Sequence, residues 1–169
     1  MSQFPYKTIV TSAEPMGRWE GIIVSGTPKP GTCMEPMVTN PISGRRTYRA
    51  RGTTYTKDGQ EGPVCVLDMD ENQGSDMTVA YTSGRWGRLY WPGNGDEMMM
   101  LLRFQSGTGT SLTDFIGSDL EIDAASGMLQ GIGTVTGSGA HVQVPFLLYE
   151  NLGVALTADT HVLCKFIGK

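Results

Sequence analysis

The feature that most constrains this chain is a repeating unit. Five to ten residues of alternating or continuous apolar character are closed each time by Gly, Pro, Asn, Asp or Ser, while helical periodicity is nearly absent. The runs are "YKTIV" (6–10), "WEGIIV" (19–24), "GPVCVLD" (62–68), "MTVAYT" (77–82), "EMMMLLRF" (97–104), "DLEID" (119–123), "MLQGIGTV" (128–135), "HVQVPFLLYE" (141–150) and "THVLCKFI" (160–167). Connectors such as "SGTPKPGT", "TKDGQEG" and "WPGNGD" are turn chemistry. Short strands at this spacing predict an all-β fold, a compact barrel or sandwich.

The pattern also predicts local detail. Pro145 lacks an amide donor, so its strand is expected at a sheet edge or with a bulge. Short helical turns are expected at 111–115 and 151–159. Pro5 and Pro15 break the first 18 residues into an extended arm, ahead of a single β domain spanning 19–169. Met98 to Leu102 is continuously apolar, which predicts a strand buried on both faces or under a subunit interface. In "DLEID" the alternation of Leu120 and Ile122 with Glu121 and Asp123 predicts one solvated face.

Composition narrows the function. Charged residues make up 18% of the chain and apolar ones 39%, which supports a real core and excludes a disordered chain. The net charge of −4 gives no electrostatic footprint for nucleic acid. Glycine, at 23 residues, is scattered between apolar runs and implies many tight turns. Cys33, Cys65 and Cys164 lie far apart with no CxxC pair, which argues against a disulfide framework and against zinc. Synthesis in a reducing cytoplasm is the expectation. "MSQFPYKTIV" has no signal-peptide pattern and no run reaches membrane-spanning length, so a soluble product without membrane contact is expected.

The candidates for chemistry are weak. In "DMDENQG" (68–74) Asp68, Asp70 and Asn72 alternate oxygen ligands, but Gln73 and Val79 stand where a calcium loop needs glycine and glutamate. An acidic hairpin tip is the better reading. "GIGTVTGSG" (131–139) has the glycines of a dinucleotide loop, yet a strand follows it where that loop needs a helix. His141 and His161 each open a β run, and no GxSxG supplies a nucleophile. Glu121 and Asp123 could in principle act as an acid–base pair. No catalytic, cofactor-binding or metal-binding residue is assigned, and the chain is expected not to be an enzyme.

Contact surfaces are better supported. "GRRTYRARG" (44–52) gathers Arg45, Arg46, Arg49 and Arg51 around Tyr48 in an otherwise acidic chain. Arginine and tyrosine favour a contact with an acidic protein surface, and a solvated loop is the competing reading. Tyr81, Trp86, Tyr90 and Trp91 either seal the end of a barrel or meet a partner. "PGNGDEMMMLLRFQSGTG" and "FIGSDLEIDAASGML" repeat one order of turn, acid (Asp96, Asp119), strand and Ser-Gly turn, which makes the first a turn-and-strand unit rather than a ligand loop.

"Y-x-P-G-x-x-D", a strand, "I-G-x-D-L", "S-G-x-L", "VPFLLYE" and the closing "ALTAD-x-x-V-x-C-K-F-I" together resemble capsid decoration (cement) proteins of tailed bacteriophages. "GIIVSGTPKPGTCME" (21–35) is similar to the opening of that family's β domain, and the resemblance covers residues 19–169. It implies a β-barrel or β-tulip domain that assembles, often as a homotrimer, on the capsid exterior against the major capsid protein. It also implies an arm that reaches a neighbour by β-augmentation. The expected contact residues are Phe4, Tyr6 and Ile9 in the arm, then Arg45, Arg46, Tyr48, Arg49, Arg51, Trp86 and Trp91. Competing readings are a tail-tube, fibre or head–tail joining protein, or a carbohydrate-binding sandwich using Trp86, Tyr90 and Trp91.

Overall fold

The computed structural model describes residues 9–11, 18–24, 26–42, 44–50, 65–69, 76–104, 119–123, 126–131, 143–149 and 157–167. Among these the fold is all-β, with no helix. The strands are β1 (Ile9–Thr11), β2 (Arg18–Ile23), β3 (Cys33–Ile42), β4 (Arg45–Ala50), β5 (Cys65–Asp68) and β6 (Trp86–Tyr90). They continue with β7 (Glu97–Leu102), β8 (Asp119–Ile122), β9 (Leu129–Gly131), β10 (Gln143–Leu148) and β11 (Thr160–Phe166).

Two curled sheets result. The first is a closed barrel, β2-β4-β3-β5-β6, in which β2 runs parallel to β4 and antiparallel to β6. The second has the order β1-β7-β11-β10-β8-β9 and curls until β9 meets β7 again at Leu129 and Leu102. The barrel is filled by Ile23, Met34, Tyr48, Cys65, Leu67, Tyr81 and Leu89. Tyr48 lies against Gly21 on β2, where a Cβ would sit 2.2 Å from its ring, so only glycine leaves room.

Between the sheets lies the main core. Cys33, Val66 and Tyr90 project from the outer wall of the barrel and meet Met98, Met100, Leu102, Leu120, Phe146 and Val162 of the second sheet. Each such side chain contributes roughly 1.5–3 kcal/mol on burial. β7 is buried on both faces, as its unbroken apolar run predicts: Met99 points the other way and packs with Met77 and Leu163. Gly31 joins the sheets through the backbone. Its amide donates to the Leu67 carbonyl at 2.8 Å and its carbonyl accepts from the Leu101 amide at 3.0 Å.

Several expectations need correction. Residues 77–82 are turn and coil, because Asp76 Oδ1 accepts from both the amide (2.7 Å) and the hydroxyl (2.6 Å) of Thr78 and so bends the chain. β3, β4 and β6 arise in segments where no strand run was expected. β3 accommodates Pro36 because only Cys33 and Met34 pair with β5 among the described residues. β10 is an interior strand, and the Pro145 signal is met by a register shift between Gln143 and Phe146. Of the first 18 residues, Ile9–Thr11 form β1 on the edge of β7, with Ile9 opposite Met98, and Arg18 opens β2; the others, and with them most of the expected arm, lie outside the described residues. The helical turn expected at 111–115 lies outside the described residues, and within 151–159 only the bend at Thr157, Ala158 and Asp159 is described.

Candidate functional site

The carboxylates that invited a ligand reading are structural. Asp96 is fully buried, and its Oδ2 accepts from the Tyr90 hydroxyl at 2.6 Å and the Gly93 amide at 2.7 Å. The Gly95 amide and the Asp96 carbonyl pair with Phe166 at 2.8 Å each, which ties the "PGNGD" turn to the end of β11. Asp123, expected on a solvated face, is buried at the turn after β8. It accepts from the Ser126 hydroxyl, from the Ser126 amide at 3.0 Å and from Arg103 at 2.7 Å. Those donors fix the carboxylate in the turn. Of the acidic loop 68–74, only Asp68 and Met69 are described.

His161 is half-buried on β11, and its Nε2 donates to the Pro30 carbonyl at 2.8 Å. Burial pushes its pKa below the usual imidazole value, the bond to Pro30 pulls it up, and the Lys29 charge lowers it. His141 and the glycine run after Gly131 lie outside the described residues. Beside Lys29, a cleft of about 240 Å³ opens between the sheets, lined by Thr27, Thr32, Leu101, Ser126 and Asp159. Asp159 is engaged there by the Phe104 amide at 2.8 Å. Among the described residues no group of three His, Cys, Asp or Glu side chains is placed to hold a metal.

The exposed chemistry is on the barrel. Arg45 lies over the Trp86 ring at 4.8 Å from its centroid, and Arg46 lies over Trp19 at 4.6 Å. Both arginines are exposed, Trp19 is 43% exposed and Trp86 is half-buried. The barrel order explains how they meet. β4, β2 and β6 are neighbours, so Arg45 and Arg46 on β4 reach Trp19 on β2 and Trp86 on β6. Those three strands hold Arg18, Arg45, Arg46, Arg49 and Arg88 against a single acid, Glu20, in a chain of net charge −4.

The expected contact residues divide. Arg45, Arg46 and Trp86 come together at the surface. Tyr48 does not belong with them: it is 1% exposed and packs inside the barrel with Ile23, Met34 and Leu67. Burial and the Cys65 thiol raise the Tyr48 pKa, against a hydrogen bond from Arg46. Arg49 pairs with its cross-strand neighbour Glu35 at 2.6 Å, while the other Glu35 oxygen is buried without a partner among the described residues. Trp91 packs against the barrel core, its Nε1 enclosed without an acceptor among the described residues. Tyr81 is buried inside the barrel and Tyr90 between the sheets, so neither is presented at the surface. Phe4, Tyr6 and Arg51 lie outside the described residues.

Trp19 was missed as a surface residue. The available signal was the Arg-Trp dipeptide, which occurs at Arg18-Trp19 and again at Arg85-Trp86. Compared with known proteins, the chain matches no family model and no curated protein.

Proposed function

We propose that the chain is a non-enzymatic structural protein of a phage virion, which binds the outer surface of the capsid, contacts the major capsid protein and stabilises the lattice as a trimer. The observation that carries this reading is a division of labour among polar side chains. Asp96, Asp123 and His161 hold turns and strands in place, whereas Arg45, Arg46, Trp19 and Trp86 are presented on the barrel wall. Such an arrangement suits a protein that works by surface contact. The sequence resemblance to decoration proteins supports the capsid as the surface concerned. Each attached subunit need stabilise the shell only modestly, since many copies act together.

The test is co-sedimentation with purified shells before and after expansion. The protein is expected to pellet with expanded shells and to show by light scattering three times the mass of one chain. Failure to pellet at any stage of maturation sinks the proposal. Because Ile9–Thr11 pair with β7, the arm is tested by removing residues 2–8, which leaves β1 intact. Weaker attachment of that variant is expected.

A further inference from the structure

We infer that the β4-β2-β6 wall is a docking surface for an acidic segment of a partner protein, gripped by Arg45 and Arg46. The inference deepens the capsid reading and rests on it for where the partner resides; its chemistry rests on the wall alone.

Three observations carry it. The first is charge segregation. The chain has 17 acidic and 13 basic residues, yet β4 alone holds Arg45, Arg46 and Arg49 and no acid, so the remainder, with 17 acidic and 10 basic residues, is strongly acidic. A cationic strip set in an anionic body favours a short acidic segment that touches the strip alone.

The second is a contrast among the arginines. Arg49 is taken up by Glu35 and Arg103 by Asp123, whereas among the described residues neither Arg45 nor Arg46 has a carboxylate partner. The third is geometry. An arginine lying on an indole is held in one place while N–H groups at the edge of its plane remain to meet a partner; Arg46 spends one of its five on Tyr48. That edge is the part that matches a carboxylate with two parallel hydrogen bonds.

The same geometry argues against nucleic acid. The Trp19 and Trp86 rings each have a guanidinium over them, which leaves less ring face for bases to stack on. A long phosphate backbone passing the strip would also meet the acidic remainder of the chain.

The experiment uses the full chain and a fluorescein-labelled hexaglutamate peptide, followed by anisotropy in low salt, with an oligothymidylate of equal charge as competitor. The peptide is expected to bind, and binding should weaken about 10-fold on raising salt from about 50 to about 300 mM. Arg45→Ala/Arg46→Ala should weaken it at least about 10-fold, and Arg45→Lys/Arg46→Lys about 3-fold, because lysine keeps the charge and loses the fork. Lys165→Ala removes the Lys165–Tyr149 stack on the other sheet and should leave binding unchanged. Near-UV circular dichroism confirms that each variant is folded. Undiminished binding by a folded Arg45→Ala/Arg46→Ala variant overturns the inference, as does tighter binding of the oligothymidylate. Shell co-sedimentation is scored separately. If the intact protein pellets while the peptide assay fails, the docking surface falls and the capsid reading stands. If the peptide assay succeeds and nothing pellets, the reverse holds.

Discussion

The Tyr90 hydroxyl donates to Asp96 Oδ2 at 2.6 Å, and this buried contact links the last strand of the barrel to the turn that launches β7. Asp96→Ala is expected to lower stability by about 2–4 kcal/mol, because it leaves both the Tyr90 hydroxyl and the Gly93 amide without an acceptor. Tyr90→Phe should cost about 1–2 kcal/mol. Urea denaturation of both variants and the double mutant measures the coupling. Additive losses would show that the contact is not formed in solution.

Gly31 has φ +84°, and an added Cβ would lie 2.7 Å from the Met99 carbonyl and 2.9 Å from the Leu101 amide. Gly84 has a similar φ of +87° but open space around it. Gly84→Ala should therefore cost about 1 kcal/mol, the strain of the left-handed conformation alone. Gly31→Ala should cost at least about 2 kcal/mol, since backbone atoms of β7 must move. Equal denaturant midpoints for the two variants would contradict the close approach of the sheets at this point.

Burial holds the folded-state pKa of His161 below the ordinary value near 6.5. On acidification the unfolded chain takes up this proton first. The stabilisation from a neutral His161 is therefore complete above about pH 6.5 and is lost as pH falls toward the folded pKa. Urea midpoints measured from about pH 7.5 down to about pH 5 should fall, and His161→Gln should flatten the upper part of that slope. An unchanged slope in the variant would assign the effect to another group.

Cys33, Cys65 and Cys164 are all buried, and none is in a disulfide. Ellman's reagent is expected to label none within minutes in the native protein and all three after denaturation. Rapid labelling of any one under native conditions would place it outside the core described above.

The strands that were legible in the sequence are those whose side chains declare their burial. Met98 to Leu102 has no polar residue to face water, and β11 repeats an apolar alternation through Val162 and Cys164. β4 was hidden because its outward residues are arginines and its first two residues stay exposed, so "RRTYRA" has the composition of a loop. Its strand state comes from being flanked by β3 and β2, which a local reading does not contain. β6, "WGRLY", was disguised by Gly87, whose missing side chain makes room for Ile23 and Leu67. Conversely, the β-branched look of 77–82 lost to Asp76, a single turn-forming side chain. The surface site was partly legible: residues 44–52 gave the arginines and the aromatic cluster gave Trp86, whereas only the pairing of β4 with β2 supplied Trp19.

The position of β1 has a consequence for a chain made from its amino end. Every barrel strand lies between Arg18 and Tyr90, so the barrel has all its parts before any residue of β7 exists. β1 is synthesised before all of them, yet its partners are Glu97 and Met98. The leading strand therefore waits through the whole of barrel synthesis with its amides and carbonyls unpaired. Among crowded ribosomes, that interval is when one nascent chain is most open to capturing the strand of another.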